Sequence, residues 1–138
     1  MKISARNQIF GTITSIEEGT VSSIVSIDAK GIKITGTISI DSVKDLGLAI
    51  GKGAYAIVKA TEVLIGIGSM KISARNQLAG IVTSITEGAV NSIVSLTLTN
   101  GDAVTSSISK AAVEELGLVV GLEVTAVIKA TSVMFGVE

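Results

Sequence analysis

Residues Lys2–Gln8 read KISARNQ, and residues Lys71–Gln77 read KISARNQ again. From Lys2 to Ile27 the counterpart lies 69 positions on, and 18 of 26 residues are identical. From Thr35 onward the counterpart lies 70 positions on, so the second copy carries one extra residue. That residue falls near Lys30–Gly31 in the first copy and Thr99–Asp102 in the second, where a turn is expected because turns absorb insertions. Met1 has its counterpart in Met70. A repeat of this period means one small fold written twice, with repeat one at 1–68 and repeat two at 69–138.

Each copy is near the lower size limit for a domain with its own core. Cys and His are both absent from the 138 residues. Disulfides and thiolate metal sites are therefore excluded, and carboxylates alone make a poor transition-metal site. No free metal cation and no cofactor is expected. Small domains without such staples rely on association with neighbours, and the high Ile and Val content points the same way. Net charge is −1, with two Phe, one Tyr and no Trp. A nucleic-acid binder would need a basic stripe or stacking platforms. The start of the chain is not an apolar leader, and no run reaches the length of a membrane span. The expectation is a soluble, cytoplasmic protein with no nucleic-acid or membrane partner.

Hydrophobic period gives the elements. Ile32, Ile34 and Ile38 alternate with Lys33, Thr35, Thr37 and Ser39, as in a half-buried strand. Gln8–Glu17 and Val21–Ile27 flank Glu18-Gly19-Thr20, which predicts a hairpin with Gly in its turn. Ala54–Lys59 and Thr61–Ile65 are predicted as two further strands. Between strands three and four, Ser39 can cap a short helix with Val43 and Leu46 on its apolar face and Gly47 as its stop. Ser109, Val113, Leu116 and Gly117 repeat that pattern. Three strands, a short helix and two strands is the order of the OB-fold, although small SH3-like barrels share much of it. The predicted fold is all-β: two tandem OB-fold-like five-stranded Greek-key barrels, each with one short helix.

Catalytic readings find little support. The carboxylates change freely between copies: Glu17 becomes Thr86, Asp41 becomes Ala111 and Glu62 becomes Ser132. Groups that vary in this way suit solvated surface better than general acids, so no enzyme is expected. Both copies instead keep Ser4/Ser73, Arg6/Arg75, Asn7/Asn76, Gly19/Gly88, Ser23/Ser92, Ser39/Ser109, Lys59/Lys129 and Ala60-Thr61/Ala130-Thr131. Donor groups with one or two cations suit an oxyanion. Taken singly, each has a plainer role: Arg6 in an ion pair, Ser39 as a cap, Lys59 as surface, Gly19 for its turn, Asn7 holding a turn. The repeated set as a whole carries the functional reading.

The ISARNQ start, the Glu-Gly-(Thr/Ala)-Val turn, the Ile-Ser strand end before the helix, and (Val/Ile)-Lys-Ala-Thr at Val58–Thr61 and Ile128–Thr131 resemble the Mop family of molybdate-binding proteins, the molbindins. The resemblance covers the chain twice. It implies a ring of six domains, hence a homotrimer of tandem chains, that binds molybdate or tungstate between domains for molybdenum storage and homeostasis. Ser4, Arg6 and Lys59 match one wall of the family's site, and Ser39 and Ser42 the opposite wall from a neighbouring domain. Ser73, Arg75, Lys129 and Ser109 match in copy two, where Ala112 replaces Ser42 and a hydroxyl is lost. Gly19, Thr20, Val21 and Ser22, with Gly88, Ala89, Val90 and Asn91, are candidates for axial oxyanion sites. Ile24, Val25, Ile93 and Val94 are expected on the assembly's apolar contacts. The alternatives are an oxyanion-sensing module signalling to a protein partner, and a purely structural oligomer.

Overall fold

The computed structural model describes residues Met1–Glu138. Repeat one runs β1 (Asn7–Glu18), β2 (Ser22–Ala29), β3 (Ile32–Ser39), α1 (Ile40–Asp45), β4 (Gly53–Val58) and β5 (Leu64–Gly66). Repeat two runs β6 (Asn76–Glu87), β7 (Asn91–Leu98), β8 (Ala103–Ser109), α2 (Lys110–Leu116), β9 (Glu123–Ile128) and β10 (Met134–Gly136). The two curled sheets have the orders β10-β4-β1-β2-β3 and β5-β9-β6-β7-β8. Each therefore takes its fifth strand from the other repeat. In sheet one, Met134, Phe135 and Gly136 pair with Ile57, Ala56 and Tyr55; in sheet two, Leu64, Ile65 and Gly66 pair with Val127, Ala126 and Thr125.

Side-chain size matches this exchange. A Cβ on Gly36 of β3 would lie 2.6 Å from the Phe135 ring, so only glycine admits that ring between the two edge strands. The counterpart of Gly36 is Ser106, which faces the smaller Ile65 strand and donates its hydroxyl to Val63 O at 2.5 Å. Buried Ile, Val and Leu from both repeats form one continuous cluster, including Ile13, Ile27, Ile34, Val82, Leu96 and Val104. The core is shared, which suits repeats too small to bury much alone.

Both helices start as the sequence predicts. The Ser39 Oγ accepts from Ser42 N–H at 3.1 Å, and the Ser109 Oγ from Ala112 N–H at 3.0 Å, satisfying an orphan donor of the first turn. Gly47 and Gly117 both sit at φ 62°, a conformation glycine adopts without steric cost. The apolar face differs in part. Val43 and Val113 are buried, but Leu116 is 37% exposed, and Leu48 and Leu118 beyond the helix stop enter the core instead.

Two further expectations need correction. Thr61–Ile65 is not one strand, because a 3-10 turn at Ala60–Glu62 precedes β5, closed by Glu62 N–H donating to Lys59 O at 2.9 Å. Val25 and Val94 are fully buried in the core and cannot line an assembly surface. The most exposed large apolar residues are Val21 (78%) and Val90 (75%) at the hairpin tips, with Ile50, Val119 and Val120.

The extra residue of repeat two lengthens the β7–β8 turn, which reaches across to repeat one. Asn100 Nδ2 donates to Ala29 O at 2.6 Å, and Lys30 pairs with Asp102 at 3.2 Å. Both partners belong to the tight β2–β3 turn of repeat one, where Lys30 and Gly31 have φ 50° and 93°. No helix is long and apolar enough to cross a membrane.

Candidate functional site

The seven residues of KISARNQ divide their work. Asn7 is buried, and its side chain bonds the backbone of Thr105 on β8 of the other repeat, donating to O at 2.8 Å and accepting from N–H at 2.7 Å. Asn76 does the same to Thr35 on β3, with both distances 2.8 Å, and also donates to Ile128 O at 3.2 Å. These asparagines clamp one repeat to the other rather than holding a local turn. The Gln8 Nε2 donates to Ala5 O at 3.1 Å and, at longer range, to Ile3 O at 3.4 Å. Gln77 bonds Ala74 O and Ile72 O in the same way. Each glutamine pins the loop that carries the Ser and Arg of its repeat.

Strand register then sets the cations. Asn7 pairs with Val58 and Asn76 with Ile128, so Arg6 and Lys59, and likewise Arg75 and Lys129, stand side by side one residue beyond the paired strand ends. Like charges placed opposite each other across two strands repel. No carboxylate relieves them: the ion pairs of the molecule are Met1–Glu138 and Lys30–Asp102. Ser4, Arg6, Lys59 and Thr61 line one cavity of about 340 Å³, with Met134 of the exchanged strand on its wall. Arg6 and Lys59 remain exposed, so the cavity opens to one side. It offers two cations and two hydroxyls and no competing anion, a chemistry that accepts a small anion.

Within one chain, Ser39 and Ser42 lie outside that cavity. Their hydroxyls hydrogen-bond each other at 2.8 Å at the start of α1. The hairpin candidates stand beside them. Ser22 pairs with Ser39, and Ile40 N–H donates to Val21 O at 3.2 Å. Gly19 N–H closes the turn on Ser22 O at 2.8 Å. In repeat two, Lys110 N–H donates to Val90 O, and Gly88 N–H to Asn91 O, each at 2.9 Å. Thr20 and Ala89 are exposed at the tips. The hairpin tip and helix start thus form one exposed edge in each repeat. Ser23 and Ser92 lie nearby, fully buried and without a hydrogen-bond partner.

Sequence reasoning missed Thr61 and Met134 as parts of the cavity. The repeated Ala-Thr pair was a usable signal for Thr61. Met134 had none, because its place depends on the strand exchange.

The TOBE domain family matches residues 3–65 and again residues 72–135. The chain belongs to the TOBE-domain family. It is 39% identical over its full length to the molybdenum transport protein ModE of Herbaspirillum seropedicae, covering 52% of that protein. It thus spans about half the length of the ModE relatives it matches. One TOBE repeat is also 59% identical over 68 residues to a probable molybdenum-pterin-binding protein of Haemophilus influenzae, covering 49% of this chain and 99% of that one. Among solved structures, the cytoplasmic molybdate-binding protein ModG, in a crystal form with molybdate bound, superposes with a TM-score of 0.97 at 44% identity. That match covers the whole of both chains. The tandem TOBE architecture, with two five-stranded barrels and their short helices, agrees with the fold predicted from the sequence and with the resemblance to molbindins.

Proposed function

We propose that this protein binds molybdate, or tungstate, for intracellular molybdenum storage and homeostasis, without enzymatic turnover of its own. The observation that carries the reading is that Arg6 and Lys59 line one cavity beside the Asn7–Val58 pair, with no carboxylate paired to either. A tetrahedral dianion between them removes their repulsion and uses the Ser4 and Thr61 hydroxyls as donors. The molybdate-bound ModG structure, similar over the whole chain, favours molybdate among oxyanions. The Arg75–Lys129 pair with Ser73 gives the second repeat an equivalent site.

Burying a dianion requires donors on every side, because an unpaired buried charge is very costly. The open side of the cavity is completed by a neighbouring domain, with Ser39 and Ser42 at the start of α1 as its donors. Ser109 serves alone in the second repeat, where Ala112 lacks the hydroxyl, so two affinity classes result. The hairpin segments Gly19–Ser22 and Gly88–Asn91 border axial sites in the same assembly. That assembly is a homotrimer in the cytoplasm, and the exposed Val21 and Val90 tips supply apolar contacts between chains. Calorimetric titration with molybdate, tungstate, sulfate and phosphate tests the function. Tight binding of the first two in more than one site class supports storage, and no binding of any oxyanion leaves a structural oligomer. Sedimentation showing a stable monomer at micromolar concentration contradicts the trimer.

A further inference from the structure

The oxyanion sites of the two repeats differ on the wall that the exchanged strand supplies. Met134 of β10 pairs with Ile57 and lines the first cavity beside Arg6 and Lys59. Leu64 of β5 stands at the equivalent register in the other sheet, opposite Val127. Both side chains are open to solvent in the chain, Met134 at 43% and Leu64 at 53%. The exchange therefore gives one site a thioether and the other a plain hydrocarbon.

Cys is absent from the chain, so its sulfur chemistry rests on three Met. Met1 and Met70 occupy equivalent places, over Gly136 and Gly66. Oxidising those two changes both repeats alike. Met134 has no Met counterpart, and it is the one that lines a cavity holding two cations.

We infer that Met134 is an oxidation site that tunes the first oxyanion cavity, an inference that rests on the oxyanion reading above. A lone pair on the thioether sulfur attacks one oxygen of hydrogen peroxide, and the O–O bond breaks to release hydroxide. That hydroxide removes the proton from the oxygen now on sulfur and leaves as water. Sulfur has lost two electrons and the peroxide has gained them. The sulfoxide oxygen is a polar acceptor where the wall was apolar. Beside Arg6 and Lys59 it competes with the anion for their N–H donors. Leu64 has no such chemistry, so the second site keeps its affinity. An opening that admits a tetrahedral dianion also admits the smaller peroxide.

The test treats the full chain with hydrogen peroxide, removes the peroxide, and titrates molybdate by calorimetry. Peptide mass mapping reports the state of Met1, Met70 and Met134. One site per chain should weaken about tenfold, the effect of drawing one charged donor away from the anion. The other should keep its untreated value. Methionine sulfoxide reductases should restore the weakened site. Met134→Leu should titrate alike before and after treatment, and Leu64→Met should make both sites sensitive. Untreated protein that binds no oxyanion overturns the functional reading and this inference together. Binding that is unchanged once Met134 is oxidised, an equal loss at both sites, or the same loss in Met134→Leu overturns the inference alone. So does Met134 remaining a thioether while Met1 is fully converted.

Discussion

Asn7 and Thr105 are 98 residues apart in sequence, yet the amide of one satisfies both backbone groups of the other, at 2.8 and 2.7 Å. Asn76 and Thr35 form the equivalent pair, 41 residues apart. Each asparagine acts as one extra rung of backbone pairing between the repeats. A side-chain amide offers its donor and acceptor on two neighbouring atoms, the arrangement a backbone rung requires.

Asn76→Ala leaves the Thr35 N–H and C=O buried and unpaired. The expected loss of stability is about 2–4 kcal/mol, the cost of two orphaned backbone groups. Asn7→Ala should lose less, since its bonds are only partly buried. Urea denaturation midpoints of the two variants measure the order.

Gly36→Ser places a side chain against the Phe135 ring, and overpacking of this kind costs about 1–3 kcal/mol. Phe135→Ile copies the size relation at Ser106 and Ile65 and should relieve much of that loss. A double-mutant cycle by thermal unfolding reads the coupling directly. Additive effects would mean that the ring and the glycine do not fit one another as described.

Gln8→Ala frees the loop that carries Ser4 and Arg6 without touching the anion. Losing one ordering hydrogen bond of about 1 kcal/mol predicts an affinity loss near fivefold at the first-repeat site. Global stability should stay nearly constant, because these bonds lie near the surface. Calorimetry and thermal unfolding on the same sample separate the two effects.

Local elements were legible because their signals are local. The Ser39 and Ser109 caps, the Gly47 and Gly117 stops and the alternation in Ile32–Ser39 each state their own geometry. The strand exchange was not legible, since Leu64–Gly66 and Met134–Gly136 carry near-identical patterns and either would fit either sheet. The information lay in a remote pair, Gly36 with Phe135, which no periodicity reports. The part of the candidate site that shares one cavity was legible as a residue set, because Ser4, Arg6 and Lys59 occur twice. Their convergence depends on the Asn7–Val58 register, and Met134 on the exchange. The roles of Asn7 and Gln8 were hidden for the same reason, because an amide within a polar word gives no sign of which backbone it will meet.

The account rests on two unpartnered cations per repeat holding an oxyanion. Calorimetric titration of Arg6→Ala/Arg75→Ala with molybdate, beside the parent protein, tests this most directly. Each substitution removes a charge-assisted donor of roughly 1.5–3 kcal/mol, so affinity should fall about tenfold to a hundredfold with the fold intact. Molybdate binding equal to the parent's would contradict the account and return Arg6, Arg75 and their serines to a purely structural role.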